Sequence, residues 1–170
     1  WSTGTPLTSQ LLPDAQIVLD KIDSIYSECG IVPGRPLFVK GRSLGSASAI
    51  YLAQQNPDKL KGLIVESGFA AAPSLFARLG ISLLSIGQDD VTLPLFNARG
   101  MKDVQLPLLV IHGEKDTLIP VSHGKELFEA CPIEDKVLHI ISGAGHNNLL
   151  FGGMESYFGK IQQFSEGHLP

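Results

Sequence analysis

The 170 residues are 44 % hydrophobic and 18 % charged, a balance that suits a compact protein with one substantial core and excludes a disordered segment. Seventeen acidic against thirteen basic side chains leave a formal charge of −4, and no basic run is long enough to follow a nucleic-acid backbone. No apolar stretch reaches the roughly 18 residues a membrane-spanning helix needs, and Cys29 and Cys131, outside any CxxC pair, exclude a disulfide scaffold.

Between residues 10 and 28, Leu11, Leu12, Ala15, Val18, Leu19, Ile22 and Ile25 recur at near-helical spacing, so one helix with one buried face is expected. Gly30, Pro33 and Gly34 end that pattern. The short run Pro36-Leu37-Phe38-Val39-Lys40 suits a mostly buried strand, and a helix is expected over 44–55. Compact apolar runs at 60–66, 106–112 and 136–141 supply three more strands. Helices are expected over 123–130 and 154–164, the second interrupted by Gly159, a poor helix former. Strands that alternate with helices imply a parallel sheet with right-handed crossovers, which gathers loops at the carboxyl ends of the strands. Chemistry is expected at those ends.

The segment from Phe69 to Gln105 is apolar at Phe69, Leu75, Phe76, Leu79, Ile81, Leu83, Leu84 and Ile86, and is broken by Gly80 and Gly87. A short helical cap over an acyl-binding cleft, within 69–105, is one reading. Plain packing of a helix on the sheet is the other, since helical apolar spacing signals burial first.

Gly41-Arg42-Ser43-Leu44-Gly45 lies between a strand and a helix, the setting a G-x-S-x-G nucleophile elbow requires. A Ser on such a turn projects its hydroxyl outward, the two glycines remove side chains from the strand–helix contact, and the Leu44 amide points toward a developing oxyanion. The competing reading is a Ser that caps the helix. A Walker phosphate loop is excluded by spacing, because it needs four residues before Gly-Lys and then Ser or Thr.

A serine hydroxyl needs a base, and the base needs an acid to orient it. His112-Gly113-Glu114-Lys115-Asp116 follows the strand at 106–112, and Gly143-Ala144-Gly145-His146-Asn147-Asn148 follows the last strand, so Asp116 and His146 both fall at the catalytic edge. Glu66, at the end of the strand 60–66, is the alternative acid. Asp89, Asp90 and Asp103 read as turn or solvent-facing residues, His112 and His139 as structural, His123 as the exposed start of a helix, and His168 as terminal. No spacing suggests a metal site, and no cofactor is expected.

With these three motifs in this order, the chain resembles the α/β-hydrolase superfamily, in particular small hydrolases of the BEM46-like group. The likeness extends from the loop Trp1-Ser2-Thr3-Gly4-Thr5-Pro6 over almost the whole chain. It implies a three-layer fold with a mostly parallel sheet, with Ser43 as nucleophile, His146 as base, Asp116 as acid, and an acyl-enzyme route. It further implies cleavage of a carboxylic ester or thioester with an apolar acyl or aromatic group. Peptidase or amidase activity is the alternative within the enzyme class, and a noncatalytic binding or scaffold fragment is the alternative outside it.

Complete relatives of that superfamily place several strands before the nucleophile strand, whereas 35 residues precede it here, most of them a loop and a helix. Residues 1–170 are therefore expected to be the catalytic portion of one domain that lacks its N-terminal strands. The strand at 36–40 is expected to expose a backbone edge that an upstream segment or a complementary chain covers, with the second oxyanion donor. The chain starts at Trp1 rather than Met, which leaves any targeting signal open.

Overall fold

A computed structural model of the chain describes residues 8–72 and 96–169. A 3-10 turn at Thr8–Gln10 leads into α1 (Leu11–Asp20) and α2 (Ile22–Glu28). Then follow β1 (Leu37–Arg42), α3 (Gly45–Gln55), β2 (Leu60–Glu66) and α4 (Asn97–Met101), and last β3 (Leu108–Gly113), α5 (Val121–Ala130), β4 (Lys136–Ile141) and α6 (Leu149–Gly167). The four strands form a parallel sheet in the order β1-β2-β3-β4.

The sheet has helices on both faces because its central strands are apolar on both. From β2 and β3, Leu63, Val65, Leu108 and Val110 pack with Leu19 of α1, Ile50 and Leu52 of α3, and Leu127 of α5. The intervening Ile64, Leu109 and Ile111 turn the other way, onto Tyr157 and Phe164 of α6. Each large aliphatic side chain buried this way contributes about 1.5–3 kcal/mol relative to leaving it in water. The alternation of a strand thus fixes a three-layer sandwich, with every strand ending at the same edge.

The expected strands at 60–66 and 136–141 form over those spans, and the one at 106–112 starts two residues later and runs to Gly113. β1 runs on to Arg42, carried past Lys40 by its pairing of Gly41 with Val65 and Arg42 with Glu66. Its other edge pairs with no strand among the described residues.

The helix expected over 10–28 is two helices. Lys21 leaves helical geometry at φ −95°, ψ 5°. Its buried face is also narrower than the spacing suggests: Leu19 is buried, whereas Val18 and Ile25 are exposed. The reason is position, since α1 lies against α3 and not across the sheet.

Of the apolar segment 69–105, Phe69 is fully buried with Ala47, Ala72 and Ile119. Residues 73–95, where the cap is expected, lie outside the described residues. Among the described residues no helix is long and apolar enough to cross a membrane.

Candidate active site

Ser43 occupies the turn between β1 and α3 at φ 51°, a left-handed conformation that costs a non-glycine residue about 1–3 kcal/mol and persists only where its surroundings enforce it. They do so through three hydrogen bonds. The Ser43 N–H donates to the Glu66 carbonyl at 3.0 Å, while the Ser43 carbonyl accepts from the Ser46 N–H at 3.0 Å and the Ser46 hydroxyl at 2.6 Å. Gly41 is required here, because a Cβ on it would collide with the Gly45 carbonyl oxygen and with Ala49. Gly45 is not required on the same ground, since a Cβ there meets nothing among the described residues. Only the first glycine of the motif serves the close approach of strand and helix.

Ser43 does not cap α3. The residue at that position is Leu44, and no side chain caps the helix. The Ser43 hydroxyl instead lies 3.2 Å from Nε2 of His146. Leu44 is half exposed, and among the described residues its N–H has no hydrogen-bond acceptor.

His146 lies in the loop after β4, and its Nδ1 is 2.8 Å from Oδ2 of Asp116, whose side chain is fully buried after β3. The other carboxylate oxygen, Oδ1, accepts the N–H groups of Leu118 at 3.0 Å and Ile119 at 2.8 Å. Burial alone would raise the Asp116 pKa. Donors from His112, the Ile119 amide and His146 outweigh it and hold the carboxyl down to about 2. An ionised Asp116 makes Nδ1 of His146 the protonated nitrogen, which leaves the lone pair of Nε2 facing the Ser43 hydroxyl.

His112 completes the support of the acid. Its Nε2 is 2.8 Å from the Ile119 carbonyl and 3.5 Å from Oδ2 of Asp116, so its proton belongs on that nitrogen. Nδ1 is buried without a partner among the described residues and faces Gly124, where a Cβ would come within 2.5 Å of it. An unprotonated Nδ1 is the cheaper state there, because a buried N–H left unpaired costs more than a lone pair against a glycine.

The loop that carries His146 is tied to the loop that carries Asp116. Glu114 accepts from the Ser142 hydroxyl at 2.8 Å and the Gly143 N–H at 2.9 Å, contacts that lower its pKa, and the Lys115 N–H donates to the Ala144 carbonyl at 2.8 Å. On the side of β1, Nη2 of Arg42 donates to the His146 carbonyl and to Oδ1 of Asn147, both at 2.8 Å. Beside these residues a cavity of about 360 Å³ is lined by Lys40, Arg42, Glu66, His146 and Tyr157. A larger one, about 450 Å³, lies between Phe96, Arg99 and Glu126, and none of Ser43, Asp116 and His146 lines it.

Ser43, Asp116 and His146 are brought together as the motifs suggest, and Glu66 is not the acid partner of His146. Its carboxylate faces the other way, onto the Tyr157 hydroxyl at 2.6 Å, Lys40 at 2.6 Å and Arg42 at 3.2 Å. Arg42, Lys40 and Tyr157 escape motif reading, although the alternation of β1 puts residues 38, 40 and 42 on one face. His123 is tied into the fold, its Nδ1 accepting the Ala70 N–H at 3.1 Å. His139 meets the Ser156 hydroxyl at 2.9 Å and His168 meets Asp135 at 2.8 Å. Asp103 is exposed, while Asp89 and Asp90 lie outside the described residues. No group of three metal-ligating side chains occurs among the described residues.

The family described as serine aminopeptidase, S33, matches residues 96–151, the stretch that contains Asp116 and His146. A Saccharomyces cerevisiae protein described as uncharacterized membrane protein YNL320W is 28 % identical over 172 aligned positions, which cover 96 % of this chain and 56 % of that protein. The chain therefore spans little more than half the length of that relative. Among solved structures, Pyrococcus horikoshii acylaminoacyl peptidase superposes with a TM-score of 0.73 at 20 % identity, over 96 % of this chain and 29 % of the peptidase. Paleococcus ferrophilus monoacylglycerol lipase gives 0.59 at 19 % identity, over 89 % of this chain and 75 % of the lipase. MGS-MChE2, an α/β-hydrolase enzyme from a sediment metagenome of the Mar Chica lagoon in Morocco, gives 0.62 at 14 %, over 90 % and 70 % of the two chains. Likeness at these identities establishes the fold, which is that of the α/β hydrolases.

Proposed function

We propose that this α/β-hydrolase-fold chain is the catalytic portion of a serine hydrolase that cleaves a carboxylic ester or thioester. The observation that carries the reading is the unbroken chain from Asp116 through His146 to Ser43, with contacts of 2.8 and 3.2 Å, ending on a serine held at positive φ. A buried acid, a histidine in the matching tautomer and a strained, outward-facing hydroxyl together have little purpose in a passive core.

His146 takes the Ser43 proton through Nε2 as Oγ attacks the substrate carbonyl. The Leu44 N–H, which has no acceptor among the described residues, donates to the oxyanion of the tetrahedral intermediate. Collapse leaves acyl-Ser43, and His146 returns the proton to the departing alcohol or thiol. Water, deprotonated by the same nitrogen, then releases the acid and restores Ser43. Asp116 stays ionised throughout, orients His146 and stabilises its protonated form.

Ester and thioester substrates with an apolar acyl or aromatic group are favoured by the apolar sequence of 75–86 and by the likeness to a lipase. Amide or peptide cleavage is the second reading, favoured by the family description matched at 96–151 and by the likeness to a peptidase. A panel of ester, thioester and anilide substrates that share one acyl group separates them. Turnover is expected for the first two, and Ser43→Ala is expected to abolish it. Anilide turnover at comparable kcat/KM transfers the assignment to the amidases, and no turnover of any member by folded protein removes the hydrolase reading.

A further inference from the structure

The residue that precedes the proposed nucleophile contributes something the triad does not describe. The loop of His146 is fixed to the loop of Asp116 by the Glu114 carboxylate and the Lys115 amide. Toward the strand that bears Ser43, the hydrogen bonds of that loop among the described residues are the Ser43–His146 contact itself and the two from Arg42. Arg42 is the last residue of β1, so its guanidinium joins the base of the elbow to the backbone of the histidine.

The guanidinium is itself held. Nε of Arg42 is 3.2 Å from Oε1 of Glu66, and Oε2 of that buried carboxylate accepts from the Tyr157 hydroxyl at 2.6 Å and from Lys40 at 2.6 Å. Lys40 and Tyr157 are also hydrogen-bonded to each other, at 2.5 Å. The Glu66 backbone carbonyl meanwhile receives the Ser43 N–H. One residue at the end of β2 thus fixes the nucleophile through its main chain and Arg42 through its side chain. The planar fork of Arg, with donors at set angles, transmits that position to the His146 carbonyl, which a flexible ammonium cannot do equally well.

We infer that Arg42, anchored by Glu66, is a positioning residue that sets the distance between Ser43 and His146. This rests on the reading of Ser43 as nucleophile. Without the guanidinium, the histidine loop keeps its ties to the acid and loses those to the strand of Ser43. The Asp116–His146 contact then survives while the His146–Ser43 contact lengthens. A displacement on the order of 1 Å in such a pair costs about 100-fold in rate.

The test is the reaction of the 170-residue protein with a fluorophosphonate, followed as both rate and final stoichiometry, for wild type, Ser43→Ala, Arg42→Met and Arg42→Lys. Arg42→Met is expected to react about 10- to 100-fold more slowly yet reach the wild-type stoichiometry. It should lower kcat on an ester by a similar factor while KM stays within about twofold, with Arg42→Lys intermediate. Misfolding lowers the stoichiometry instead, so the two effects separate. If Arg42→Met does not fold, Asn147→Ala at an exposed position removes one Arg42 acceptor and is expected to slow the reaction several-fold. Wild-type protein that never reacts sinks the hydrolase reading itself. Wild type that reacts at Ser43 beside an Arg42→Met or Asn147→Ala variant that reacts just as fast overturns the inference alone.

Discussion

At the scale of single residues, Asp116 ties the proposed chemistry to stability. Its carboxyl is held at about 2 in the folded chain against an ordinary value of 3.8, so the unfolded chain binds more protons between those limits. The stabilisation is fully present above about pH 4 and is lost as the pH falls through about 2. Asp116→Asn removes the charge. The gap in urea midpoint between wild type and Asp116→Asn is therefore expected to be widest above pH 4 and to narrow steadily toward pH 2. A gap that stays constant across that window contradicts this account of the acid. On the activity side, the amide favours the other tautomer of His146, and a fall in kcat of about 10⁴-fold is expected with the fold retained.

Two glycines separate packing from propensity at the scale of elements. In α5 a Cβ on Gly124 would press on Nδ1 of His112, whose Nε2 supports Asp116. Gly124→Ala is expected to destabilise by about 1–3 kcal/mol, as overpacking does. Gly159 is exposed within α6, and a Cβ there meets nothing among the described residues, so Gly159→Ala is expected to stabilise by about 0.5–1 kcal/mol. Thermal unfolding of both variants decides the matter, and shifts of the same sign contradict it. The same elements show what periodicity conveys. Buried strands were legible in the sequence wherever an apolar run is bounded by turns, as at 60–66. The two final residues of β1, Gly41 and Arg42, were not, because parallel pairing to Val65 and Glu66 makes them strand and no local preference does. Gly153 is non-helical at φ 171°, ψ 60° and kinks α6, so the helix expected from Met154 starts just past the kink, and a short helical piece from Leu149 precedes it. The break at Lys21 between α1 and α2 leaves no trace in a spacing that continues across it.

For the molecule as a whole, motif reading named the fold class and three side chains that the fold sets within hydrogen-bond reach of one another. Ser43, Asp116 and His146 each fall in a short pattern at a strand end, so their assembly follows once the sheet is parallel. Arg42 and Lys40 come from β1, Glu66 from β2 and Tyr157 from α6, so β1–β2 pairing sets Arg42 beside Glu66 and the packing of α6 on the sheet adds Tyr157. The edge of β1 that pairs with no strand among the described residues, together with a yeast relative of which this chain covers 56 %, supports the proposal that a further strand docks there and brings the second oxyanion donor. Addition of that strand, upstream or in trans, is expected to raise turnover and solubility together, and equal activity of the homogeneous 170-residue monomer contradicts it. The central claim is that Ser43 is an activated nucleophile. Peptide mapping by mass spectrometry after fluorophosphonate treatment tests it most directly. One adduct on Ser43, absent from Ser43→Ala and from protein denatured beforehand, is the result predicted. Folded protein that carries no adduct, or carries it on another residue, would contradict the claim.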